Sequence, residues 1–397
     1  MKKAVLLIMD GLGDLPTPKT PLQMAKKPNL DNLAKKGETG LISTIERGVI
    51  PGSDTSHLQL FGYDPALYYP GRGPLEALGI GIKLKNGDIA FRTNFATAKG
   101  KDITDRRAGR IDTSTARKLE YLLNMRIEDV NVIFKSSVEH RGALVLRGKG
   151  LSPDISDTDT HFLGPMQECK PLGKSKSAAK TARIVNKFIK QARKRLDSSP
   201  VNKKRKLPAN FVLLRGAGSF REIPSMEWRY NIKSACVAGG ALYKGVSRYV
   251  GMDVPDVKGA TGDKNTSLKA KGKAVVNALK THDFVFVHVK ATDSFSHDGD
   301  AKGKAGVIGK VDRELIPILK KTGAYLVITG DHSTPCLRKA HSGHEVPILI
   351  YGKDERIDSV KKFDEMSCMN GGIGHIIGKD LIHMILNLIE KAEVYGS

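Results

Sequence analysis

Ala4-Val5-Leu6-Leu7-Ile8-Met9-Asp10 is an unbroken apolar run closed by a carboxylate, and the pattern returns twice. Phe284-Val285-Phe286-Val287-His288-Val289 leads through Lys290-Ala291-Thr292 to Asp293, and Ala324-Tyr325-Leu326-Val327-Ile328-Thr329 leads through Gly330 to Asp331. Continuous apolar runs of this length suit strands buried on both faces, as in a parallel sheet covered by helices. The carboxyl ends of such strands line the ligand crevice. Three aspartates brought to one crevice repel each other unless cations lie between them. The expected fold is therefore α/β with a mostly parallel sheet, and the expected chemistry is that of a metal site.

Histidines accompany the aspartates. His297 follows Asp293 by four residues, His332 follows Asp331 directly, and His341-Ser342-Gly343-His344 comes shortly after. Mixed carboxylate and imidazole donors suit Zn, Mn, Fe or Co better than Ca or an all-oxygen Mg site. Three Asp with three His exceed one tetrahedral ion and match two ions about 3.5–4 Å apart, the spacing of two-metal phosphoryl-transfer sites. A solvated Asp293–His297 pair on a helix face would explain either residue alone, but not the threefold recurrence.

A nucleophile is available in Pro51-Gly52-Ser53-Asp54-Thr55-Ser56-His57-Leu58. Ser53 stands before a helix-like stretch, where free N–H groups and the helix dipole favour an alkoxide or phosphate. Coordination to a metal would lower its pKa further. The competing reading makes Ser53 a simple N-cap, and Thr55 and Ser56 are rival hydroxyls by spacing alone.

Met9-Asp10-Gly11-Leu12-Gly13, the Pro51–Leu58 block, Phe61-Gly62-Tyr63-Asp64-Pro65, Asp105-Arg106-Arg107-Ala108-Gly109-Arg110 and Thr329-Gly330-Asp331-His332-Ser333-Thr334-Pro335 together resemble the archaeal-type 2,3-bisphosphoglycerate-independent phosphoglycerate mutases of the alkaline phosphatase superfamily. The resemblance covers nearly the whole chain. It implies an alkaline-phosphatase-like core with an inserted smaller α+β domain. It also implies interconversion of 3- and 2-phosphoglycerate in glycolysis or gluconeogenesis without bisphosphoglycerate, and Ser53 as the residue phosphorylated in turnover. Asp10, Ser53, Asp331 and His332 would hold one divalent ion, and Asp293, His297 and His341 the other. The cofactors implied are two divalent ions (Mn, Mg, Co or Zn), with no organic cofactor. His344 fits the family pattern less well than His341. Ser296 stands where the family more often has Gly, and Thr160 where Pro is commoner.

Arg92, Arg106, Arg107 and Arg110, with Arg141 beyond, supply forks for the carboxylate and phosphate of a phosphoglycerate. Asp105 or His161 would handle hydroxyl protons. About half of these arginines are expected to serve as surface or salt-bridge residues, the common state of Arg. Lobe closure would keep water from the phosphoserine. A metal-dependent phosphatase or another phosphomutase of the superfamily is the alternative reading. A sulfatase is disfavoured because Ser53 is not followed by Pro and Arg.

The chain has 397 residues, with 65 Lys and Arg against 42 Asp and Glu, a net charge of +23. Such a balance suits a small polyanionic substrate steered inward, or a nucleic acid. One Trp and 6% aromatic residues argue against a base-stacking platform, so a nucleic-acid partner is not expected. Lys203-Lys204-Arg205-Lys206 reads as a solvated helix end. Cys169, Cys236, Cys336 and Cys368 are scattered and form no Cys-x-x-Cys motif, which suits reduced thiols in a cytoplasmic protein. The N-terminal apolar run is too short for a signal peptide, and no stretch has the length of a membrane span. A homo-oligomer is compatible with all of this.

Residues 1–74 and 176–397 are expected to form the discontinuous metal-binding core, with 75–175 as the inserted substrate-binding domain. Gly71-Arg72-Gly73-Pro74 marks the first break. In the insert, a hairpin about Gly100, a helix over 116–124 and strands over 130–134 and 142–147 are expected. In the core, helices are expected over 29–36, 176–196, 268–279, 310–320 and 376–391. Strands are expected there over 40–45, 211–214, 234–237, 284–289, 325–329 and 348–351.

Overall fold

A computed structural model describes residues 2–394 and 396. The chain divides into two compact units. One comprises residues up to 69 with those from 224 on, and the other is Pro70–Ile223.

The first unit is α/β. Its seven-stranded sheet runs in the order Ser234–Val237, Phe284–Val289, Ala4–Met9, Tyr325–Thr329, Val346–Tyr351, Glu38–Ser43, Gly374–Ile377. Neighbours are parallel except at Val346–Tyr351, which runs antiparallel to both its neighbours. Every residue of Ala4–Met9, Phe284–Val289 and Tyr325–Thr329 is buried, as unbroken apolar sequence requires of central strands. The register places Met9 beside Val289 and Ile8 beside Thr329. Asp10, Lys290 and Gly330, which follow these strands, therefore leave the sheet at one level.

The helices fall into two packed groups. Ser53–Leu60 packs with Ala241–Tyr249 and Gly378–Leu388, while Ala301–Glu314 packs with Pro28–Ala34, Leu268–Ala278 and Ile316–Lys320. The single helix expected over 310–320 is two helices, divided at Leu315 before Pro317. The first begins at Ala301, nine residues before the expected start, and at Gly303 a Cβ would lie 2.2 Å from the Phe295 ring.

The second unit is α+β. Its sheet runs Met125–Ile127, Val130–Ser136, Arg141–Arg147, Ile89–Lys99, Asp102–Asp105, Gly164–Pro165, and Phe211–Ser219 also pairs with Ile89–Lys99. All of these pairings are antiparallel. Gly100 turns the expected hairpin at φ +58°. Phe91, Phe95, Phe134, Leu144 and Phe188 form its core.

The boundary differs from expectation at its C-terminal side. The 23-residue helix Lys176–Ser198 and the strand Phe211–Ser219 belong to the second unit, not to the metal-binding core. Their amphipathic patterns are local, and either unit could have buried them. The strand's register along Ile89–Lys99 and the seating of Ile184, Val185 and Phe188 in the second core settle the matter.

Candidate metal centre and arginine cluster

Ser53 opens the helix Ser53–Leu60, and Gly52, in extended conformation, is its N-cap without a side-chain bond. Ser53 therefore does not serve as the cap. Its Oγ lies 3.1 Å from His332 Nε2. That nitrogen is also 3.3 Å from Asp331 Oδ2 and 3.6 Å from Asp10 Oδ1. The four side chains assigned to the first ion thus aim their donors at one another. Thr55 Oγ1 instead donates to the Gly52 carbonyl at 3.0 Å, and Ser56 Oγ lies 3.3 Å from Thr44 Oγ1. Both rival hydroxyls are occupied locally.

The second set lies beside the first. Asp293 Oδ1 is 3.3 Å from His297 Nε2 and 3.7 Å from His341 Nε2. His341 stacks on His332 with ring centroids 3.7 Å apart. Asp293, His332 and His341 form one group of potential ligands, and Asp10, Asp331 and His332 another, each with its donor atoms within 4.8 Å of one another. His332 therefore belongs to both groups, where the sequence assigned it to one. His344 bonds within its own loop, 3.0 Å from Ser342 Oγ.

The surroundings fix each carboxylate. Lys290 Nζ bridges Asp10 Oδ1 at 3.1 Å and Asp293 Oδ2 at 2.7 Å. The hydroxyl of Tyr243 donates to Asp10 Oδ2, and His288 Nε2 lies 3.0 Å from the same oxygen. Gly11 N–H donates to Asp331 Oδ1 at 3.0 Å. Gly11 has φ +62°, and a Cβ there would come within 2.7 Å of Thr334 Oγ1 and 2.9 Å of Asp293 Oδ1. Lys290, Tyr243, His288 and Thr334 escaped the sequence reading. The position of Lys290 between an apolar strand and Asp293 was the one available signal.

The donor set fits divalent cations. Asp331 Oδ2 is buried with no hydrogen-bond partner among the described residues. Burial and the charge of Asp10 push the Asp331 carboxyl above its usual range, the state a nearby cation would relieve. Burial opposes ionisation of Asp10 as well, but the Lys290 charge and the His288 contact hold it well below the ordinary value. Burial lowers His332, which leaves a neutral imidazole with a lone pair to offer.

In the second unit, Arg106 grips Asp159 Oδ1 through Nη2 at 2.7 Å and Nε at 3.0 Å. His161 Nδ1 lies 3.3 Å from Arg106 Nη2 and 3.2 Å from Arg215 Nη1. Burial pushes Arg92 down to about 10, with Glu76 opposing and Arg215, Arg72 and Arg141 adding to the fall. Burial, then the charges of Arg141, Arg107, Arg92 and Arg110, push His140 down to about 4. The expected arginines thus converge, and Arg72, Arg215 and Asp159 join them unforeseen. Asp105, half-buried, accepts from Arg107 N–H within its own loop at 2.6 Å. Ala108, Arg110 and His161 adopt φ of +48°, +53° and +66°, a backbone cost of about 1–3 kcal/mol each that tends to gather at functional loops.

Residues 34–202 match the family model described as 2,3-bisphosphoglycerate-independent phosphoglycerate mutase. The enzyme of that name from Methanocaldococcus jannaschii is 46% identical, across 100% of this chain and 99% of its own length. The chain belongs to the 2,3-bisphosphoglycerate-independent phosphoglycerate mutase family. The family member from Archaeoglobus fulgidus is 45% identical, over 99% of each chain. Among solved structures, the cofactor-independent phosphoglycerate mutase of Thermoplasma acidophilum is 38% identical with a TM-score of 0.73, covering 98% of this chain and 100% of its own. A protein from Pyrococcus horikoshii is 36% identical with a TM-score of 0.87, covering 100% of this chain and 99% of its own.

Proposed function

We propose that this chain interconverts 3-phosphoglycerate and 2-phosphoglycerate through a phosphoserine at Ser53, without bisphosphoglycerate, as a step of glycolysis or gluconeogenesis. The reading rests on one observation above all. A buried serine at a helix N-terminus shares its surroundings with His332, Asp10 and Asp331, and it does not cap its helix.

Ser53 Oγ forms a bond to phosphorus as the bond from phosphorus to the 3-oxygen breaks. The first-turn N–H groups of the Ser53–Leu60 helix stabilise charge on the phosphoryl oxygens. The arginines about Arg92, Arg106, Arg107 and Arg110 hold the glycerate carboxylate in pairs of N–H bonds. Asp105 or His161 carries the proton between the two hydroxyls. The deprotonated 2-oxygen then bonds to phosphorus as the bond from phosphorus to Ser53 Oγ breaks, which returns Ser53 as the alkoxide that attacked. Asp10, Ser53, Asp331 and His332, and Asp293, His297 and His341, would hold two divalent ions (Mn, Mg, Co or Zn), which acidify the serine and neutralise phosphoryl charge.

No helix among the described residues is long and apolar enough to cross a membrane. A cytoplasmic enzyme, assembled as a homo-oligomer, is part of the same proposal. The test is conversion of 3-phosphoglycerate in the absence of bisphosphoglycerate, with released phosphate followed in parallel. Release without 2-phosphoglycerate would make the chain a phosphatase.

A further inference from the structure

The positive charge is unevenly shared between the two units. Pro70–Ile223 carries 32 Lys and Arg against 15 Asp and Glu, or +17, while the other 243 residues carry 33 against 27, or +6. Within residues 174–206 there are 13 basic side chains and one acid, Asp197. A phosphoglycerate is served by the arginine cluster described above and does not call for this second concentration.

The structure gives that charge a direction. Lys176, Lys180, Arg183, Lys187, Lys190 and Lys194 all lie on the helix Lys176–Ser198. Their spacing of three or four residues keeps all six within about 40° of one line along the helix, over about 27 Å. The opposite side, with Ala178, Ile184, Val185, Phe188, Ala192 and Leu196, is buried.

Some of the row is compensated. Lys180 meets Asp129 at 2.7 Å, and Arg183 and Lys187 share Glu128 at 2.9 and 2.6 Å. Lys176, Lys190 and Lys194 are exposed and make no ion pair among the described residues. Beyond the helix, Lys203, Lys204 and Lys206 are likewise exposed.

We propose that this ridge binds the phosphodiester backbone of a nucleic-acid duplex. A duplex presents continuous, regularly spaced rows of charge, one per about 1.7 Å of axis, and a straight row of five lysines and one arginine complements such a rail. Lysine supplies point charge without base reading, so the scarcity of aromatic residues that excludes a base-stacking platform does not exclude backbone binding.

The test is fluorescence anisotropy with 20-base-pair RNA and DNA duplexes and with polyglutamate, titrated across salt. The full chain should bind one or both duplexes, with log affinity falling steeply against log salt. Lys190→Glu with Lys194→Glu should weaken binding at least about tenfold at low salt and reduce the salt slope by about 2. Lys361→Glu with Lys362→Glu changes the net charge equally on exposed lysines of the other unit, and should leave both quantities unchanged. Both variants should retain mutase activity, which reports folding. Equal losses in the two variants, no salt-dependent binding, or equal binding of polyglutamate would overturn the proposal, the last pointing to an acidic protein instead.

Discussion

Ser53 Oγ lies 3.1 Å from His332 Nε2, while the N-cap of the helix that Ser53 begins is Gly52. The hydroxyl is held by the ligand cluster and does not serve the helix end, so its chemical and structural roles can be separated by mutation.

Ser53→Ala is expected to lower kcat/KM for 3-phosphoglycerate by at least about a thousandfold, as loss of a nucleophile does. The free energy of urea unfolding should change by less than about 1 kcal/mol, because no cap bond is removed. Steady-state kinetics alongside denaturation measure both. Retained activity would return the assignment to Thr55 or Ser56.

The oxygen of Asp10 shared by Tyr243 and His288 is turned away from the Asp10 oxygen that faces His332. Tyr243→Phe keeps the ring stacked on His288, whose centroid is 3.5 Å away, and removes only the hydroxyl. Loss of such an orienting partner should weaken metal affinity by about 10–100-fold. Calorimetric titration of Mn2+ into stripped protein provides the check, and unchanged affinity would refute an orienting role.

Gly11→Ala should destabilise by about 2–4 kcal/mol, combining left-handed backbone strain with crowding of Asp293. Gly48→Ala is the matched comparison. It shares a positive φ of +77° but has nothing within 4 Å of the added carbon, so it should cost only about 1 kcal/mol. Equal costs at the two sites, measured by urea unfolding, would show that crowding contributes nothing.

Chelation should abolish mutase activity, and Mn2+ should restore it. The same addition should raise the thermal midpoint, since an ion bound only by the folded state stabilises by mass action. It would also offset the burial and the charge of Asp10 that raise the Asp331 carboxyl. Full activity in stripped protein, or a midpoint indifferent to metal, would remove the metal centre from the reading.

Glu365 accepts from Thr20 Oγ1 at 2.6 Å and Asp14 N–H at 3.1 Å. Burial pushes its carboxyl up to about 7, against the opposing Thr20 bond. A raised folded-state value means that the native chain holds a proton the unfolded chain has released. Stability should therefore fall as pH rises from about 4.5 to about 7, by up to about 1.4 kcal/mol per pH unit. Glu365→Gln should flatten that part of the stability profile. An unchanged slope would exclude Glu365 as its source.

Much of the centre was legible in the chain. Asp10, Asp293 and Asp331 follow apolar runs whose periodicity specifies buried strands, and parallel pairing brings their ends to one level. Of the candidate ligands, Asp10, Asp293, His297, Asp331 and His332 follow those ends closely, whereas Ser53 and His341 do not. Tyr243 and His288 were not legible as partners of Asp10, because no local pattern links positions so far apart. The helix Lys176–Ser198 was legible as a helix with one apolar face, but the core that receives that face was not.

The sequence by itself determined that strands end in carboxylates, that a serine stands at a helix start and that arginines gather near residue 107. These follow from residue type and from the short periods of strand and helix. Only the tertiary structure decided that Ser53 faces His332, that Asp10 Oδ2 is claimed by Tyr243 and His288, and that the second unit extends to residue 223. The reason is physical: burial is encoded by local pattern, while the partner that accomplishes it is chosen by packing between segments far apart in the chain.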